Sequence, residues 1–230
     1  MEFIQTIGKL IVRYHSFFEE GIVNTLIIAI FTVLFGTISG TLMSSMRMSK
    51  ILPLRWLAVA YIEFIRGTPL MVQLMFFFYG LPMVGFTLPD ISWIPNFSRF
   101  SAGIIAMSIN SCAYVAEIIR SGVQAVDIGQ MEAARSVGFS HGQAMRLVVL
   151  PQAIKNILPA LGNEFVTVIK ESSIVSVIGL ADLMFRTNDV IALTYKSLAC
   201  LAIAALCYFA MTFTGGRLIA LAERKMNHGK

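Results

Sequence analysis

Long charge-free stretches of this chain alternate with short segments in which every charge is gathered. No charged residue occurs between Glu20 and Arg47, between Arg66 and Asp90, or between Lys196 and Arg217, and a shorter clear window runs from Arg99 to Glu117. About 20 apolar residues cross a bilayer as a helix, so these windows predict spans over 21–46, 68–88, 100–117 and 197–216. A fifth apolar stretch, 159–180, is interrupted by Glu164, Lys170 and Glu171. Residues Phe3 to Phe18 have apolar positions at helical spacing among scattered charges and suit a helix along the membrane surface ahead of the first span.

Local signals refine these boundaries. Thr68-Pro69 reads as a helix start, with Thr68 capping free N–H groups and Pro69 in the first turn, and Gly80 and Pro82 weaken that span at its far end. Pro89, Trp93, Pro95 and Asn96 mark a turn with an interfacial tryptophan. Asp127 with Gln130 opens a short helix over 128–138, closed by Gly138 in the left-handed conformation. Ser140 with Gln143 repeats the opening signature beyond Phe139, and Pro151 limits that second helix.

Composition agrees with a bilayer. The chain is 57% hydrophobic and 13% charged, against about 25% charged in soluble domains. Its mean hydropathy is +0.75. The pI of 9.3 does not indicate nucleic acid, because the basic residues form no aromatic-interleaved patch. Their distribution gives orientation instead. With five spans, one side receives Arg47, Lys50, Arg55, Arg66, Arg120, Arg135, Arg146, Lys155, Arg217, Arg224, Lys225 and Lys230, and the other Lys9, Arg13, Arg99, Arg186 and Lys196. The richer side is cytosolic, which puts the N-terminus outside and the C-terminus inside. Omitting the fifth span would strand the basic tail outside. The fold class expected is an all-α integral membrane protein of five transmembrane helices, a single domain over 1–230. No small-residue cleavage site follows the first residues, so no cleavable signal peptide is expected.

Enzymatic chemistry finds little support. Cys112, Cys200 and Cys207 lie in apolar stretches at spacings that suit no zinc or redox motif, and His15, His141 and His228 are scattered outside the spans. No metal or catalytic cluster is expected. The chain has no G-x-x-x-x-G-K-[ST] with which to cradle a nucleotide.

The polar segment between the third and fourth spans carries the most specific pattern. Glu132-Ala133-Ala134 is followed after three residues by Gly138, and after nine more by Val148-Val149-Leu150-Pro151. Taken alone, such a segment is a solvated hairpin between two spans. In register, on the positive side, it resembles the EAA signature of bacterial ABC-importer permeases, with Val148 where the motif has Ile. Glu63-Phe64-Ile65-Arg66-Gly67-Thr68-Pro69-Leu70, Ala113-Tyr114-Val115-Ala116-Glu117-Ile118-Ile119-Arg120-Ser121-Gly122 and Leu161-Gly162-Asn163-Glu164-Phe165 with Lys170-Glu171-Ser172-Ser173 resemble blocks of the polar amino acid uptake subfamily. The resemblance implies a bacterial inner-membrane permease that moves polar amino acids by alternating access. Its implied partners are a second copy or a similar permease, an extracytoplasmic solute-binding protein, and a dimer of ABC ATPase subunits. ATP and Mg would be held by those ATPases, and this chain would bind no cofactor. Glu132, Ala133, Ala134 and Gly138 would form the ATPase contact.

The candidate substrate residues come from the fifth stretch. Glu164 and Glu171 are two helical turns apart and share one face within about 20°. Thr167 lies between them, and Asn163 and Lys170 form an adjoining polar stripe. Ionisable groups within a span are costly unless they reach water, substrate or each other. One reading is therefore a pathway in which the carboxylates meet a substrate ammonium, with a preference for cationic amino acids. The other is an internal ion pair of Lys170 with a carboxylate of another span. An ion-coupled secondary carrier using Glu164 and Glu171 as ion sites is the alternative class. It leaves the EAA segment without a role, and no inverted repeat is apparent.

The topology is testable by single cysteines introduced at Ser92 and Ser140 in a cysteine-free background. An impermeant outside reagent should label only the first, and labelling of both positions would overturn the five-span arrangement.

Overall fold

The computed structural model describes residues 2–86 and 97–227, and among them every regular element is helical. The expected turn containing Pro89, Trp93, Pro95 and Asn96 lies outside the described residues.

Helix α1, Glu2–Arg47, has 46 residues and departs from helical geometry at Tyr14 (φ −119°, ψ 21°). At 1.5 Å per residue it would extend about 69 Å, far more than the hydrocarbon core needs. The surplus is its N-terminal arm, where Leu10 and Phe18 pack with Leu183, Val190, Ala199, Cys200 and Ile203. Beyond the arm, α1 buries a stripe of small residues: Gly21, Thr25, Ala29, Thr32, Gly36, Gly40 and Ser44. Small residues allow helix axes to approach closely in a membrane, where dispersion contacts provide much of the attraction. Leu183 lies against Gly21 and Thr25 at one end of this stripe, and helix α5, Phe97–Gln124, lies against Gly36 and Gly40. A Cβ on Gly36 would stand 2.8 Å from Ser111 Oγ, and one on Gly40 would stand 2.8 Å from Val115 Cβ and 2.9 Å from the Cys112 carbonyl oxygen.

Helix α2, Leu52–Gly67, is followed by α3, Leu70–Met75, a π turn over Phe76–Gly80 and the short α4, Leu81–Met83. The chain turns by 105° between α2 and the α3–α4 segment. The expected capping by Thr68 is corrected here. Thr68 is extended and closes α2, while Pro69 occupies the N-cap of α3 without a side-chain cap. A residue preceding proline is driven out of the helical region, and the Thr68 hydroxyl donates back to the Phe64 carbonyl at 3.0 Å.

After α6, Ile128–Ser136, and α7, His141–Ala144, a π turn over Met145–Val149 leads directly into α8, Leu150–Glu171. Pro151 therefore does not limit a helix, contrary to the sequence reading. The wider π turn just before it absorbs the missing N–H, and the chain stays helical from His141 to Glu171. Pro159 likewise lies inside α8 rather than at its start. A 3-10 segment, Ser172–Ile178, ends at Gly179 with φ +76°, and then come α9, Leu183–Thr194, and α10, Ser197–Asn227. Ile28, Leu74, Met107, Val168, Ile169, Val175 and Leu180 form a core shared by α1, α3, α5, α8 and the 3-10 segment.

Among the described residues three helices, α1, α5 and α10, are long and apolar enough to cross a membrane, or up to four spans if the bent α2–α4 unit is one. Helix α8 is not among them, because its polar residues depress its hydropathy.

Gly40→Leu should force α1 and α5 apart and destabilise the folded chain by about 1–3 kcal/mol or more. Gly216→Ala, inside α10 where a Cβ meets nothing within 4 Å, should keep stability or raise it slightly. Thermal unfolding of the purified protein in detergent compares the two.

Candidate functional site

The α6–α7 hairpin is built by local hydrogen bonds. The Asp127 side chain accepts from the Gly129 N–H at 2.7 Å. Asp127 thus opens α6 as expected, with the Gln130 N–H donating to its carbonyl at 3.0 Å, while the Gln130 side chain accepts from Gln152 Nε2 at 3.2 Å and ties α6 to α8. At the other end the Phe139 N–H donates to the Ala134 carbonyl at 3.2 Å and the Gly138 N–H to the Arg135 carbonyl at 3.1 Å. With Gly138 at φ +97°, this is the Schellman arrangement that ends helices in a left-handed residue. Ser140 and Gln143 make the reciprocal capping box expected for α7. The hairpin turns its residues two ways. Ala134 is buried, along with Ala144 and Val149 of the following turn, whereas Glu132 and Ala133 are exposed. Large apolar side chains stand free beside them, with Ile128 74%, Val137 76% and Leu147 60% exposed.

On α8, Val168 and Ile169 are buried in the core, and the polar residues take the other flank. Asn163, Lys170 and Glu171 are exposed, and Thr167 is half-buried. Glu164 is half-buried and accepts a hydrogen bond from Ser111 Oγ at 3.0 Å. Ser111 is the residue seated against Gly36, so the carboxylate sits beside the α1–α5 seam. Lys170 enters no salt bridge among the described residues. The internal ion pair weighed for it is not seen among the described residues.

A third group escaped the sequence reading. Glu117 is bridged by Arg47 at 2.6 Å and by Arg120, and Arg120 also donates to Gln124. The Arg66 guanidinium lies 5.3 Å from the centre of the Tyr114 ring. The cluster joins the ends of α1, α2 and α5. Only its Glu117–Arg120 part, three residues apart on one helix, was visible as a spacing. Among the described residues, no three His, Cys, Asp or Glu side chains are grouped to hold a metal ion.

An all-helical membrane chain with a capped hairpin and a polar flank on one helix finds its counterpart among known proteins. Residues 32–228 match the sequence profile of the family described as binding-protein-dependent transport system inner membrane component. The chain belongs to this family. It is thus a multi-pass permease subunit with no catalytic step of its own. The arginine transport system permease protein ArtQ of Bacillus subtilis (strain 168) is 42% identical over 211 residues, covering 91% of this chain and 92% of that one. The probable glutamine ABC transporter permease protein GlnM of the same organism is 39% identical, covering 86% and 87%. A crystal structure of an amino acid ABC transporter with histidines superposes with a TM-score of 0.87 at 48% identity, covering 94% of this chain and 96% of that one. The MetNI methionine ABC transporter in an inward-facing conformation gives a TM-score of 0.67 at 18% identity, covering 90% and 96%, which extends the likeness in fold alone.

A Cβ at Gly138 would meet nothing within 4 Å, so strain there comes from the backbone alone. Gly138→Asn should retain most transport, because asparagine tolerates the left-handed region, and Gly138→Val should lose it while still reaching the membrane. Equal uptake by both variants would show that the left-handed turn is dispensable.

Proposed function

We propose that this chain is the translocating subunit of an ATP-driven, binding-protein-dependent importer of polar amino acids in the bacterial inner membrane. The observation that carries the substrate assignment is the polar flank of α8, on which Asn163, Lys170 and Glu171 are exposed beside a Glu164 anchored to Ser111. Exposed charges on a helix packed among spans are expensive in hydrocarbon and inexpensive beside a watered pathway. Glu164 is assigned to the substrate ammonium, Glu171, Asn163 and Thr167 support it, and Lys170 orients the substrate carboxylate. Two carboxylates favour cationic amino acids, in keeping with the arginine named for one relative. An ion-coupled carrier is not favoured, since it gives the capped hairpin no task.

The whole chain, 1–230, acts as one transmembrane domain. Five spans follow from the positive-inside distribution, with α8 and the 3-10 segment as the fourth, the N-terminus outside and the C-terminus inside. A second permease, identical or similar, completes the pathway. A pair of ABC ATPases, which hold ATP and Mg, docks on the hairpin, and an extracytoplasmic binding protein delivers substrate. Glu132 and Ala133 present the ATPase contact with Ile128 and Val137 beside them. Ala134 is packed beneath that contact, and Gly138 shapes it. Closure of the ATPases moves the hairpin, and the helical continuity from His141 to Glu171 carries the displacement into the substrate flank.

Glu164→Gln keeps the shape and removes the charge, so apparent affinity for a cationic amino acid should fall about tenfold or more, the worth of a charged hydrogen bond. Glu171→Gln should have a smaller effect in the same direction. Uptake into proteoliposomes measures both. Wild-type affinity and substrate preference in the two variants would move the site elsewhere.

A further inference from the structure

The break between α2 and α3 contains a backbone acceptor that no helix continuation can satisfy. In an α-helix the Ile65 carbonyl would accept from the N–H of residue 69, and residue 69 is proline. The Thr68 hydroxyl lies 3.4 Å from it, and a closer donor comes from the next helix. Gln73 Nε2 donates to the Ile65 carbonyl at 2.7 Å, and lies 3.1 Å from the Thr68 carbonyl and 2.8 Å from Thr68 Oγ1. The amide thus closes the end of α2 in place of the absent N–H. Its own oxygen accepts from Asn110 Nδ2 of α5 at 3.0 Å. Gln73 and Asn110 are each only 6% exposed, so the bond between them and the one to Ile65 are shielded from solvent, while Thr68 is half-buried.

The neighbouring contacts divide the region into a fixed part and a part that can turn. Helix α2 is clamped to α5: the Tyr61 hydroxyl donates to the Ile109 carbonyl at 2.7 Å, and Ile62 and Ile65 pack on Ala113 and Ala116. Between this pair and α3 the chain passes through extended Thr68 and Pro69. Gln73 bridges that break, and Asn110 holds Gln73 from the middle of α5. Helix α5 in turn runs to Gln124, and three residues separate it from α6. A continuous mechanical route therefore joins the capped hairpin to the bend.

We propose that Gln73 and Asn110 are a latch that sets the angle between α2 and α3 and passes displacement of α5 to α3 during transport. They are positioning residues: neither is hydrogen-bonded to a candidate substrate residue, although Asn110 is next to Ser111, which holds Glu164. Gln73 supplies the missing donor of the bend, and Asn110 makes the position of Gln73 depend on α5. This assignment rests on the importer reading above, since it presumes a cycle in which the hairpin moves.

The test uses the full complex, reconstituted with its ATPase and binding protein, and measures amino acid taken up per ATP hydrolysed. Asn110→Ala frees Gln73 from α5 while leaving it bonded to Ile65. It should assemble, and its uptake per ATP should fall about tenfold, the size of a typical coupling between sites. Gln73→Met, of similar length but without donors, should do the same or more. Adding Pro69→Ala to Gln73→Met gives residue 69 an N–H that can reach the Ile65 carbonyl once residue 68, extended here, is free to turn helical. That addition should restore thermal stability without restoring uptake per ATP. Wild-type uptake per ATP in Asn110→Ala, or full rescue of transport by Pro69→Ala, would reduce the pair to a structural cap and overturn the proposal. If Gln73→Met fails to assemble, Asn110→Ala decides alone. A wild-type complex without ATP-dependent uptake would instead sink the importer reading.

Discussion

The seam between α1 and α5 sets the spacing on which the other contacts depend. In water the apolar effect would press two helices together whatever their surfaces, but between lipid tails attraction comes largely from shape. Gly36 and Gly40 bring α5 close enough for Ser111, Cys112 and Val115 to lie against the α1 backbone. That approach fixes Ser111 where Glu164 reaches it, Asn110 where Gln73 reaches it, and Glu117 where Arg47 reaches it. Residues 110, 111 and 117 serve three different neighbours from one helix. A displaced α5 would disturb all three at once, which is why small residues rather than larger apolar ones line that side of α1.

Around the seam, rigid and yielding parts alternate. The helical run from His141 to Glu171 has no break, only a π turn, and can act as a rod between the hairpin and the polar flank of α8. The α2–α3 corner, the 3-10 segment ending at Gly179, and the kink at Tyr14 interrupt regular geometry and are where orientation can change. Each interruption is held by side chains rather than left open. Gln73 serves the first, and the Arg99 guanidinium donates to the Gly179 carbonyl at 3.1 Å in the second. Near the kink, Arg186 bridges to Glu20 and faces the Phe17 ring.

Features encoded within one or two turns were legible in the sequence, and features made by distant residues were not. The Ser140–Gln143 box and the left-handed Gly138 follow from stereochemistry that a few neighbours determine. The polar flank of α8 followed from helical periodicity, because charges in an apolar stretch are conspicuous. Thr68 was misread because its hydroxyl has two uses, and only the tertiary position of Gln73 shows which is taken. Pro151 was misread because a π turn leaves little mark in composition. The stripe from Gly21 to Ser44 passed unremarked because small residues change neither charge nor mean hydropathy. The Arg47–Glu117–Arg120 cluster needs two helices brought side by side before it exists.

The low apolarity of α8 bears on how the protein comes to be in a membrane at all. A segment with Glu164, Lys170 and Glu171 in its second half gains little by partitioning into lipid alone, since each such group opposes entry. As the proposed fourth span, it would hold its place there as a collective property of the chain. Helix α5, made earlier, offers Ser111 to Glu164. Helix α10, made later, presses Ile219 against Gly162, where a Cβ would come within 2.7 Å of that side chain. Between the emergence of α8 from the ribosome and the arrival of α10, the nascent chain holds a helix with apolar cover on one side only. With α8 as the proposed fourth span, its place in the bilayer would depend on neighbours made both before and after it.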